Sequence, residues 1–159
     1  MTHTRAAERR IAELREAPLD DATLEELVGL LLTSAVRRQL WLMFLDDQDR
    51  LSEAIMPTED FPGDPHEPVV VDDLGPTTAA CLLADRLGRI CGAIEVTQLV
   101  LVWEREGDAA FGAEELAWAA AMSEEMGKSD VRLRAQFLLH NDGLRALAPG
   151  DGVARTMAP

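Results

Sequence analysis

Tyrosine is absent from this 159-residue chain, lysine occurs once, histidine three times and cysteine twice. The two cysteines, Cys81 and Cys91, fall within one predicted helix. At a helical rise they lie about 15 Å apart, which excludes a disulfide between them. Two unpaired thiols fit a reducing cytosol. Each sits on or beside an apolar stripe, so both read as small buried hydrophobes rather than nucleophiles. No apolar run approaches the roughly 20 residues that a membrane span needs. The N-terminus (Met1, Thr2, His3, Thr4, Arg5) has no apolar stretch behind its charge, so it does not read as a signal peptide, and a cytoplasmic location is expected. Basic residues are scarce against acids, and the formal charge of -14 repels phosphate backbones. Nucleic acid and membrane are therefore not expected partners. Arginine outnumbers lysine fourteen to one, which is read as the coding bias of a GC-rich genome.

What is present organises around residues 99–104. Leu99, Val100, Leu101, Val102 and Trp103 form an unbroken apolar run, followed by the polar stretch 104–108 and a helical pattern from about Gly112. A strand apolar on both faces that feeds a loop and a helix is the central unit of an α/β sheet. Reactive groups on such sheets sit where the strand ends. Those available there are Glu104, Glu106, Asp108 and Glu115, with no His or Cys nearby.

Before this unit, residues 4–17 read as a first helix ended by Ala17 and Pro18. A second begins at an Asp20 or Asp21 cap, and its very apolar face over residues 24–32 is expected either to be deeply buried or to pack on a second subunit. Residues 40–45 and 51–56 read as a hairpin, with Trp41, Met43 and Leu45 on one face and Leu40, Leu42 and Phe44 on the other. The acidic turn between them (Asp46, Asp47, Asp49) lacks the spacing and glycine of a calcium loop and reads as a solvated turn. Residues 57–76 hold five of the eight prolines, six acids and His66. They read as a long acidic connector with a short edge strand at 69–71. Gly75, Pro76 and Thr77 are expected to open a helix that Gly92 closes by its left-handed freedom, and residues 94–103 to carry the central strand. The helix after Gly112 buries Leu116, Ala119, Met122 and Met126. Over residues 131–139 strict alternation is expected, with Val131, Leu133, Ala135, Phe137 and Leu139 on one face. His140 to Gly143 is a turn before a last strand over 144–147, and His140 reads as a surface residue of it.

This order of elements over residues 20–148 resembles the RadC-type JAB domain, a JAMM or MPN-like metal-hydrolase fold. Three stretches carry the resemblance: residues 42–51 look like its first hairpin, 100–116 like its metal-motif strand, glycine–aspartate loop and helix, and 137–144 like its final hairpin. It implies an α/β fold, a single three-layer domain with a mixed central sheet of about five to six strands, of cytidine-deaminase-like or JAB-like topology. Residues 1–19 would form an N-terminal helical arm and residues 149–159 a frayed tail. With Gly107 and Asp108 as the anchor, the family's two metal-binding histidine positions fall on Val102 and Glu104, its aspartate on Glu115, and its general-base glutamate near Glu53. The Asp-His pair before the last hairpin falls on Ala135 and Gln136. Zinc wants imidazoles with an open position for water, and this set does not provide them.

Two functions follow. One is a catalytically inactive JAB-like domain, without cofactor, that binds a protein partner or a second copy of itself through the helix over 24–32 and the loop over 57–76. The other is a hydrolase or small-ligand binder with a rebuilt acidic site of Glu53, Glu104 and Glu115, a hard oxygen set suited to Mg²⁺ or Mn²⁺.

Overall fold

A computed structural model describes residues 4–147; the first three residues and the tail expected over 149–159 lie outside the described residues. The chain runs α1 (Arg5–Glu16), α2 (Asp21–Leu31), β1 (Gln39–Leu45), β2 (Leu51–Thr58), β3 (Pro68–Val71), β4 (Gly75–Thr78), α3 (Ala79–Ala93), β5 (Gln98–Glu104), α4 (Ala113–Met126), β6 (Arg132–His140) and β7 (Gly143–Ala146). Among the described residues no helix is long and apolar enough to cross a membrane.

The apolar run centres the molecule. β5 is buried along its whole length and lies mid-sheet in the order β2-β1-β5-β6-β7, antiparallel to β1 and parallel to β6. With no edge and two covered faces, each residue of this strand meets protein, and this accounts for its lack of alternation. On one face Leu99, Leu101 and Trp103 pack with Leu40, Leu42 and Phe44 of β1 against α3 and α4. On the other, Val100 and Val102 pack with Met43 and Leu45 against Leu14 of α1 and Leu24, Leu27 and Val28 of α2. The two faces of β1 divide as its alternation predicts. The apolar side of α2 is deeply buried against its own sheet, so those three residues offer nothing to a second subunit. α1 joins the same layer through Leu14 and through a two-pronged bond from Arg10 to Glu26 at 2.7 and 2.9 Å.

Four expectations are corrected. Residues 75–78 form a strand, not a helix start. Gly75 takes φ +67° to turn the β3–β4 hairpin, and Pro76, which lacks an N–H, pairs with Val70 in this two-stranded ribbon, where it faces an edge. The helix begins at Ala79, capped by the Thr78 side chain on the Cys81 N–H. The C-terminus of α3 turns at Glu95 (φ +58°) rather than at Gly92, and the Ile94 and Val96 amides bond back to Ile90 and Cys91, so the central strand starts at Gln98. In β6 the register against β5 jumps from Leu133 opposite Leu99 to Ala135 opposite Val100. Arg134 is the extra residue of a bulge, which re-aims everything after it. Val131 and Leu133 therefore pack toward α3 and α4, and Ala135, Phe137 and Leu139 toward α2. Finally, His140 is buried, its Nδ1 accepting the Asp142 N–H and its carbonyl accepting the Ala35 N–H.

The β6–β7 turn requires a glycine at position 143, where φ is +137°. Gly143→Val is expected to lower stability by about 1–3 kcal/mol through backbone strain alone, because open space surrounds the added Cβ. A lower urea midpoint at unchanged slope would show it.

Candidate functional site

The parallel pair β5 and β6 ends at Glu104 and His140, and the residues flagged at that end do come together, though not as free acids. Glu104 is 3% exposed. Gln39 lies directly across from it on β1 and Trp41 two residues further along the same face. Gln39 Nε2 and Trp41 Nε1 donate to its Oε1 at 2.8 and 2.7 Å. The segment between α2 and β1 turns two amides toward its other oxygen, Val36 N at 2.6 Å and Arg37 N at 3.1 Å. Burial pushes this carboxyl up, but the donors, led by the Val36 amide and the Trp41 indole, outweigh it and hold the group below its ordinary range.

Arg105, the next residue, is enclosed by the loop that follows. Its Nε donates to Glu115 Oε1 at 3.0 Å, one Nη to the Asp108 carbonyl at 2.6 Å, and the other Nη to the Ala110 carbonyl. Glu115 also accepts the Gly112 N–H at 2.9 Å, which closes the first turn of α4. Asn141 ties the loop to the β6–β7 turn: its Oδ1 accepts the Gly107 N–H at 3.0 Å while its own N–H donates to the Gly107 carbonyl at 3.1 Å. Gly107 (φ +137°) also leaves room for the Arg105 guanidinium, 2.9 Å from where a Cβ would stand. The glycine–aspartate loop is thus wrapped around an arginine side chain.

Between the end of β5 and the start of α4 lies a pocket of about 130 Å³. Its wall is aromatic: Phe61, Trp103 and Trp118 stand edge to face or tilted, with ring centroids 5.6 to 5.8 Å apart. Its polar lining is Gln39, Glu104, Glu114 and Glu115 with Arg38 and Arg105. Arg38 crosses the pocket: its Cζ sits 3.9 Å over the Phe61 ring, and its guanidinium donates to Glu114 and to the Phe61 and Pro62 carbonyls.

Of the three acids singled out from the sequence, Glu104 and Glu115 line this pocket, and Glu53 does not: it is exposed on β2. Val102 is buried in the α2-side layer. Gln136 is buried and structural, its Oε1 accepting the Trp103 indole N–H at 2.9 Å and its Nε2 donating to the Ala119 carbonyl and Ser123 Oγ. His66 is exposed. Among the described residues no group of three or more His, Cys, Asp or Glu side chains is placed to hold a metal ion. Arg38, Phe61 and Trp118 escaped the sequence reading. Arg38 and Phe61 come from segments far from β5 in the chain, and no local periodicity marks them.

The fold and site define an α/β domain with a five-stranded mixed sheet and four described helices. Compared with known proteins, the chain matches no protein-family model and no curated protein.

Proposed function

We propose that this chain is a non-catalytic, JAB-like domain that acts by binding a protein partner or a second copy of itself. The observation that carries the reading is the state of the two acids at the positions where the resemblance puts metal ligands. Glu104 is used by four donors and Glu115 by Arg105 and the Gly112 amide. A carboxylate so engaged has little left to give to a cation or a proton in flight, and freeing either would leave buried donors unpaired. In favour of the reading is the order of hairpin, helix, strand, helix and hairpin, which the chain keeps except for a second short hairpin, β3–β4, inserted before α3. With the core residues of α2 used inside the chain, the partner face falls to the 57–76 region, where Val70 at the β3–β4 hairpin is 77% exposed.

The alternative, a rebuilt acidic site for Mg²⁺ or Mn²⁺, has in its favour that Glu104 and Glu115 share a pocket; Arg105 stands in its way, and Glu53 lies outside. The two readings separate by metal analysis. The full chain purified without chelator is expected to carry no stoichiometric zinc, manganese or magnesium, and Arg105→Ala is expected to gain none. Stoichiometric metal that is lost in Glu115→Gln overturns the binding-module reading.

A further inference from the structure

We propose that the pocket at the end of β5 takes a small organic cation, an alkylated ammonium head group, and that Arg38 covers it as a built-in competitor. This goes beyond the protein-binding reading and does not rest on it.

The pocket already holds one cation against an aromatic face, the Arg38 guanidinium 3.9 Å above Phe61. Behind that ring stand Trp103 and Trp118, whose indole N–H groups are directed elsewhere, to Gln136 and to the Pro62 carbonyl. Three carboxylates (Glu104, Glu114, Glu115) face two guanidinium groups in the lining. The two arginines are not equivalent. Arg105 is tied to Glu115 and to two loop carbonyls, and its side chain is 20% exposed. Arg38 donates to Glu114 and to the Phe61 and Pro62 carbonyls, but it is 39% exposed and Glu114 41% exposed, so its bonds lie at the rim within reach of water. Arg38 is therefore the arginine of the two that can exchange its partners for water, since its ion pair with Glu114 is screened by solvent. Once it has left, three carboxylates face one guanidinium beside an open aromatic face, and an incoming cation restores what the arginine supplied.

The chemistry narrows the ligand. An anion would meet the carboxylates. A neutral molecule would gain nothing from the negative field of the lining. A metal ion wants oxygen lone pairs at close range, and those of Glu104 are already taken by four donors. An alkylated ammonium needs only aromatic faces and a diffuse negative field, and the net charge of -14 draws it in. The size also suits: a void of roughly 150 Å³ holds a ligand the size of benzene, and this pocket is about 130 Å³ with Arg38 in place.

The test compares choline with 3,3-dimethylbutan-1-ol, its neutral carbon isostere, on the full chain and on Arg38→Ala. Binding is read from tryptophan fluorescence and from NMR shifts of the Trp103 and Trp118 indole N–H groups. Choline is expected to saturate both proteins, Arg38→Ala roughly tenfold more tightly because the competitor is gone, with the isostere at least about tenfold weaker. Phe61→Leu is expected to lose most of the response. Equal binding of choline and its isostere overturns the proposal and leaves an apolar void. So does the lack of a saturable choline response up to millimolar concentration in the native chain and in a folded Arg38→Ala.

Discussion

Glu104→Ala is expected to lower stability by about 3–5 kcal/mol, the summed cost of leaving several donors without their acceptor at about 1–3 kcal/mol for each buried one. The carboxylate accepts from two backbone amides and two side chains, and alanine offers none of them a substitute. The segment between α2 and β1 loses its anchor, and the buried Gln39 and half-buried Trp41 donors lose their acceptor. A fall in melting temperature on the order of 10 °C follows for a chain of this size. Glu104→Gln keeps the shape and loses the charge, so a smaller loss is expected. The pH dependence has a definite sign. The folded-state pKa of Glu104 lies below its ordinary value of 4.5. Its stabilisation is therefore complete above that value and is lost as pH falls through the lower, folded one. Urea midpoints of the native chain and Glu104→Gln should differ most near neutral pH and converge as the solution is acidified below 4.5. A gap that stays constant down to acid unfolding would contradict the assignment.

Trp118→Ala is expected to cost a similar 3–5 kcal/mol for a different reason. Trp118 is 1% exposed, and its ring meets Phe61 and Trp103 at centroid distances of 5.6 and 5.7 Å. Its indole N–H donates to the Pro62 carbonyl at 2.9 Å and so pins the 57–76 region to α4. Alanine opens a large cavity and breaks that tie. Trp118→Phe retains most of the packing and loses the bond, with an expected loss of about 1–2 kcal/mol. Denaturant unfolding distinguishes the two variants. Hydrogen exchange adds a local readout: loop amides near Phe61 should lose protection in both. Unchanged protection there would mean that the Pro62 contact does not hold the segment.

The sheet was legible because its strands carry their burial in composition. Both faces of β1 and the unbroken apolar run of β5 follow from local sequence, since each side chain's face is set by a period of two. The same rule failed in β6. A single extra residue, Arg134, reverses every face after it, and nothing in alternating residues announces a bulge. It failed also at residues 75–78, where a glycine and proline that suit a helix start equally suit a hairpin edge; pairing with residues 68–71 decided the matter. At the site, Glu104 and Glu115 were legible as acids at a strand end and a helix start. Their partners were not. Val36, Trp41 and Gln39 are more than sixty residues away from Glu104 in the chain, and only the closing of the loop decides that Arg105 binds Glu115.

The sequence by itself determined the class of fold, an α/β sheet built around residues 99–103, because hydrophobic burial is read residue by residue. Only the tertiary structure decided what the acids at the end of β5 do. Hydrogen bonding in a buried site depends on which donors distant segments bring there. Here they bring enough to engage both carboxylates, and they place an arginine over an aromatic wall.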